Sequence, residues 1–184
     1  MSSTQIFCEQ FDPIWQKGFF SHSEKQVDIW KMSVQENSNL IPENILSKDE
    51  LSKASRFLHS KDRASFIFRR TALRILLSRY TDIPPSEIEF IPGINKKPEM
   101  KSGSNKIRFN VSHSADLTLI AISDTEIGVD IERIETSFNY TDILKHSFSE
   151  LEISRIVEMA DSRELFFRLW TRKEALCKTK LFIF

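Results

Sequence analysis

The stretch IGVDIER, residues 127–133, sets Ile127, Val129 and Ile131 in alternation with Gly128, Asp130 and Glu132. Residues two apart in an extended chain point the same way. The alternation therefore predicts a strand with one apolar face and an opposite face carrying two neighbouring carboxylates beside a glycine. Such acids are more often solvent-facing strand residues; the sharper alternative is a pair of oxygen ligands for a hard divalent cation.

Downstream, Ser149 followed by Glu152 predicts a capping box that opens a helical region reaching about Lys180, with a break near MADS (159–162). Within it, Phe166, Trp170, Glu174 and Lys178 are each four residues apart and form one stripe, widened by Phe167 and Leu169. An acid that continues a line of aromatics is expected to be partly buried or to face a cleft, where it needs a partner. The competing reading is an exposed Glu174–Lys178 ion pair worth a few tenths of a kcal/mol. Three carboxylates from a strand and a helix suit Mg2+, which takes few protein oxygens plus water and phosphate.

Upstream, FNVSHS (109–114) gathers Asn110, Ser112, His113 and Ser114 where a strand ends. Hydroxyls, backbone N–H groups and an imidazole fit a phosphate, although a polar turn capped by its own side chains has the same composition. Farther back, VDIWKMSV (27–34) reads as a strand, QENSNLIPEN (35–44) as a loop, and Ser47 with Glu50 as the capping box of a helix over KDELSKASRFL (48–58). A longer helix is predicted over residues 61–80, with Phe68, Ala72, Ile75, Leu76 and Arg79 on one face and Pro84–Pro85 stopping it. Next come a strand at EIEFI (87–91), a loop at 92–106, and strands at 107–111, 117–123 and 127–132. This order gives an α+β chain of two similar lobes meeting near residue 104.

The 184 residues, 40% hydrophobic, are enough for a real core. Lys plus Arg (26) equals Asp plus Glu (26), which argues against nucleic acid or an acidic membrane as main partner. Cys8 and Cys177 match no zinc or redox spacing, and no apolar run approaches the roughly 20 residues of a membrane span. A cytoplasmic protein is the expectation.

Taken in order, FNVSHS, IGVDIER and LWTRKEALCK (169–178) resemble the 4′-phosphopantetheinyl transferases, specifically the larger two-lobed class that activates carrier proteins. The likeness runs over roughly residues 27–178, with weaker echoes in RRTALRILLSRY (69–80) and NKKP (95–98). It implies two pseudo-repeated lobes, 1–104 and 105–184, each a small antiparallel sheet packed on a long helix. It also implies transfer of the phosphopantetheine arm of coenzyme A to a serine of an apo acyl, peptidyl or aryl carrier protein, releasing adenosine 3′,5′-bisphosphate. By that resemblance, Asp130, Glu132 and Glu174 hold Mg2+, and Glu174 or a metal-bound water takes the serine proton. Lys178 meets the leaving phosphate, Ser112 and His113 contact coenzyme A phosphate, and Lys97 lies near the adenine nucleotide. Arg63 or Arg70 binds the 3′-phosphate. Gly128 leaves room for a close approach at the metal shelf.

Two departures from the family pattern shape the expectations. Lys96 stands where the family commonly has glycine, which alters the turn before Lys97. The sequence ends in KTKLFIF (178–184), so the second lobe is expected to be incomplete, as after a shifted reading frame near residue 179, with less sheet to bury Phe166, Phe167 and Trp170. An inactive remnant that still binds coenzyme A or a carrier is therefore the alternative, and a divalent-metal phosphohydrolase ranks third. An acidic carrier is expected near SRFLHSKDR (55–63) and HSFSE (146–150), and a site between lobes of one chain suggests a monomer.

Overall fold

The computed structural model describes residues 5–10, 26–37, 43–93, 97–101 and 107–179. The expectations that concern Lys96 and residues 180–184 lie outside them. The fold is α+β. Strands β1 (Gln5–Gln10), β2 (Gln26–Ser33), β5 (Arg108–Ser114) and β6 (Leu117–Ser123) form a sheet in the order β1-β2-β6-β5. β1 runs parallel to β2, and the other pairings are antiparallel. β5 is thus an edge strand.

One face of this sheet packs on α3 (Ser60–Thr81). Trp30, Met32, Phe109, Ile120 and Ile122 meet Phe68, Ala72, Leu73, Ile75 and Leu76 in one apolar cluster, so the helix face read from the three-and-four spacing is the core face. α3 ends at Asp82, which takes a left-handed conformation (φ 56, ψ 12) and donates its N–H to Ser78 O. That cap ends the helix two residues before Pro84.

The first capping box is present. Ser47 and Glu50 exchange bonds at the start of α2 (Lys48–Ser55), which ends three residues earlier than the expected Leu58 because the Arg56 N–H closes back on Ala54 and Lys53 carbonyls. A short helix α1 (Val34–Asn37) occupies the start of the expected loop. The expected strand at 87–91 is displaced: Pro85–Glu87 is a 3-10 turn, and β3 (Phe90–Pro92) pairs with β4 (Pro98–Met100), inside the segment expected to be a loop. Proline at 85 favours the tight turn, and the Gly93 N–H to Lys97 O bond of 2.8 Å closes the hairpin.

After β6 the described chain forms helices α4 (Thr141–Ser147), which the sequence reading passed over, α5 (Glu150–Glu158) and α6 (Ser162–Lys178). The Ser149/Glu152 capping box opens α5, and α6 begins after the expected break. Phe166 is fully buried and Phe167 nearly so, among Tyr140, Leu144, Phe148 and Ile156. The expectation that these aromatics lose their cover is corrected for Phe166 and Phe167: α4, α5 and Phe138 cover them, with the Tyr140 and Phe166 rings stacked at 4.5 Å. Among the described residues no helix is long and apolar enough to cross a membrane.

Candidate active site

Residues 127–132, expected to form a strand, do not join a sheet. The reason lies in β5. Asn110, Ser112 and Ser114 project from the sheet face opposite α3 and capture alternate backbone N–H groups of the acidic segment. Val129 N–H donates to Asn110 Oδ1 at 2.8 Å, Ile131 N–H to Ser112 Oγ at 3.3 Å and Arg133 N–H to Ser114 Oγ at 2.9 Å. The segment therefore runs extended and parallel to β5 but is held one side-chain layer away. The polar residues of FNVSHS serve as its ladder.

This ladder also carries the acids. Ser112 Oγ donates to Asp130 Oδ1 at 2.7 Å, and Ser114 Oγ donates to Glu132 at 3.2 Å. Thus the two-residue period of Asp130 and Glu132 matches that of Ser112 and Ser114, as the alternation requires. The Asp130 side chain is only 2% exposed. Its second oxygen, Oδ2, is buried without a hydrogen-bond partner.

Helix α6 closes the site. Gly128 is the contact point: a Cβ there would lie 1.9 Å from Ala175 O and 2.9 Å from Thr179 N. The close approach that requires glycine is therefore that of the α6 backbone, which corrects the reading of Gly128 as room at a metal shelf. Lys178 then reaches Asp130 Oδ1 at 2.5 Å and Ser112 Oγ at 3.2 Å. Glu174 is half-buried and has no ion-pair partner among the described residues, so the exposed Glu174–Lys178 pair does not form. Burial raises the Glu132 carboxyl above its ordinary value, and the neighbouring Asp130 and Glu174 carboxylates push the same way.

Among the described residues no three acids, histidines or cysteines stand together at ligand distances. The donor set nevertheless fits a hard cation. A buried, unpartnered carboxylate oxygen on Asp130 beside two further acids is an arrangement that an oxygen-seeking divalent ion satisfies.

On the other side of β5, His113 points from the face that packs on α3. Burial lowers its pKa, and the nearby cations Arg69 and Lys178 lower it further. Arg69 is the residue that the sequence reading missed. Arg70, the residue singled out there, is tied to Glu50 Oε1 at 2.8 Å and stacks on Phe90 at 4.4 Å. Arg63 is exposed on the first turn of α3. Two arginines adjacent in sequence lie 100° apart on a helix, and only the position of β5 decides which one meets His113. Lys97 donates to the carbonyls of Ile127 at 2.8 Å and Lys178 at 3.0 Å. β5 thus separates the acids, with Lys178 and Lys97 beside them, from His113 and Arg69.

Comparison with known proteins gives the same residues a family. The sequence model of the 4′-phosphopantetheinyl transferase superfamily matches residues 126–180, and that of the 4′-phosphopantetheinyl transferase N-terminal region matches residues 29–125. The Synechocystis sp. protein slr0495 is 34% identical over 145 residues, covering 76% of this chain and 59% of its own. The 4′-phosphopantetheinyl transferase HetI of Nostoc sp. is 30% identical over 160 residues, covering 83% and 68%. The 4′-phosphopantetheinyl transferase Sfp of Bacillus subtilis is 28% identical over 149 residues, covering 80% and 64%. The chain therefore spans about 60% to 70% of the length of these relatives. The two matches meet at residues 125 and 126, between the ladder strands and the acids they carry, and the chain belongs to the 4′-phosphopantetheinyl transferase superfamily.

Proposed function

We propose that the chain transfers the 4′-phosphopantetheine arm of coenzyme A to a serine of an apo acyl, peptidyl or aryl carrier protein, releasing adenosine 3′,5′-bisphosphate. The observation that supports this most is the buried, half-satisfied Asp130, set beside Glu132 and Glu174 on one side of β5 while His113 and Arg69 lie on the other. A phosphoanhydride held across that edge has its negative oxygens between cationic groups and acids that need a cation. Members of the family are named for this transfer, which agrees with the chemistry of the site.

Asp130, Glu132 and Glu174 would hold Mg2+, which when bound supplies charge neutralisation at the pyrophosphate. His113 and Arg69 are assigned to a coenzyme A phosphate, Arg69 taking the place expected of Arg70, because the Arg70 guanidinium is committed to Glu50. Arg63 remains free to join them at the first turn of α3. Lys178 neutralises the leaving phosphate once its hold on Asp130 is exchanged for that of the substrate. Glu174, half-buried and without an ion-pair partner among the described residues, would be one group to accept the serine proton. Ser112 orients Asp130 through its hydroxyl.

We further propose a cytoplasmic monomer, since the site is assembled within one chain and Cys177 is a free, exposed thiol. The division into pseudo-repeated units 1–104 and 105–184 is kept as a proposal, with β5 and β6 completing the sheet begun by β2. The test incubates the full chain with Mg2+, coenzyme A and an apo carrier, and then weighs the carrier by mass spectrometry. A carrier heavier by one phosphopantetheine supports transfer. Coenzyme A binding without a mass change supports an inactive binding remnant instead, and phosphate release from coenzyme A without any carrier supports a phosphohydrolase.

A further inference from the structure

We infer that Lys97 is a positioning residue, a strut that fixes the last turn of α6 against the acidic segment, rather than a group that touches the nucleotide. Lys97 immediately precedes β4, its carbonyl accepting from the Gly93 N–H, and its side chain is 13% exposed. Its ammonium donates to Ile127 O at 2.8 Å and Lys178 O at 3.0 Å, and faces Glu126 Oε2 at 4.0 Å. Two of its three donors are therefore directed at backbone carbonyls on two different elements.

Both carbonyls matter to the site. The Lys178 carbonyl belongs to the final turn of α6, where helix carbonyls lack partners inside the helix and a cation is favoured. The Ile127 carbonyl immediately precedes Gly128, the point at which the α6 backbone touches the acidic segment. Lys97 thus bridges two backbone groups on either side of the Gly128 contact. The contact sets the distance between helix and segment, and the bridge sets their register. With both in place, the Lys178 side chain leaves the helix toward Asp130. Without the bridge, the last turn of α6 frays and carries Lys178 away from Asp130, while the coenzyme A phosphate contacts at His113 and Arg69 stay in place.

The kinetic part of this inference rests on the transfer reading; the structural part does not. The wild-type full chain is labelled with acetic anhydride, with and without coenzyme A, and each lysine is read by mass spectrometry. Lys97 is expected to react about tenfold or more slowly than Lys101, whose side chain is 64% exposed, and equally slowly in both states. A Lys97 that reacts readily in the free chain and is protected only by coenzyme A overturns the inference. In Lys97→Met, amide exchange in residues 175–179 is expected to rise about tenfold while α3 is unchanged, and Lys97→Arg is expected to restore most of the protection. If transfer is measurable, kcat falls about tenfold with the coenzyme A KM within about twofold. A tenfold rise in KM, or in the coenzyme A dissociation constant, with no change in α6 exchange likewise overturns it. A chain without transferase activity leaves the labelling and exchange results to decide, so failure of the strut and failure of the transfer reading give different patterns.

Discussion

The Lys178 ammonium lies 2.5 Å from Asp130 Oδ1, and this ion pair ties the last residue of α6 to the centre of the acidic segment. Asp130 is 2% exposed and Lys178 32%, so the acid is the member that depends on the pair. A carboxylate removed from water needs compensation from a cation or several donors. Here Ser112 supplies one donor, Lys178 supplies the charge, and Oδ2 is left over.

Replacing Lys178 with methionine removes that charge while keeping the aliphatic stem. Lys178→Met is expected to destabilise the chain by about 1–3 kcal/mol in urea unfolding, less than a fully buried pair because the lysine is partly exposed. Mg2+ is expected to raise the melting temperature of Lys178→Met by more than that of the wild type. Equal shifts would count against a cation site at Asp130.

Gly128→Ala tests the contact between α6 and the acidic segment. The new methyl group would meet Ala175 O, a backbone atom inside a helix that cannot swing aside. The helix must move as a unit, and a cost of about 3 kcal/mol is expected, at the upper end for overpacking. Thermal unfolding measures the loss, and the Lys178–Asp130 pair is lost with it. An unchanged melting temperature would mean that α6 does not lie against Gly128.

Glu50 joins α2 to α3 through Arg70 and Arg74 and governs acid stability. Burial alone would raise its carboxyl, but the Ser47 backbone N–H, Arg70 and Arg74 outweigh that effect and hold it below the ordinary glutamate value. Because the folded pKa is the lower one, the stabilisation is present above the unfolded glutamate pKa and is lost as pH falls through the folded value. Glu50→Gln is expected to flatten this acid limb. It should also cost about 3–5 kcal/mol at neutral pH, since Arg74 is 2% exposed and loses its charge partner. Urea unfolding across pH 3–7 checks both, a window of about four units spanning the glutamate range.

His113 reports on the cationic side of β5. The residue keeps an exposed surface; partial burial first, then Arg69 and Lys178, lower its pKa below the ordinary histidine value. A depressed folded pKa means that His113 contributes less to stability as pH falls through the window below the unfolded value. Adenosine 3′,5′-bisphosphate is expected to raise the His113 midpoint by bringing phosphate charge to the ring, and Arg69→Ala is expected to raise it in the absence of ligand. Proton NMR titration of the ring, assigned with His113→Gln, reads both shifts. A midpoint indifferent to the nucleotide would place the phosphate elsewhere.

Much of the molecule was legible before folding. Both capping boxes, at Ser47/Glu50 and Ser149/Glu152, are local patterns whose partners lie three residues apart, and both form as expected. The core face of α3 and the aromatic stripe of α6 follow from helical periodicity in the same way. The alternation in IGVDIER correctly placed Asp130 and Glu132 in register with each other. The family was also legible, because three short motifs kept their order and separation.

What alternation could not convey is the partner that satisfies the backbone. Residues 127–132 have strand periodicity yet hydrogen-bond to the side chains of Asn110, Ser112 and Ser114, and nothing within the segment distinguishes a backbone acceptor from a side-chain one. The pairing of Lys178 with Asp130 in place of Glu174 depends on elements 48 residues apart in sequence. The same holds for the choice of Arg69 over Arg70 beside His113, for the helix backbone against Gly128 and for the Lys97 strut. Local spacing fixes which side chains share a face of their own element. Which face meets which neighbour is set by how the helices and the sheet pack, and at this site that packing decides every partner.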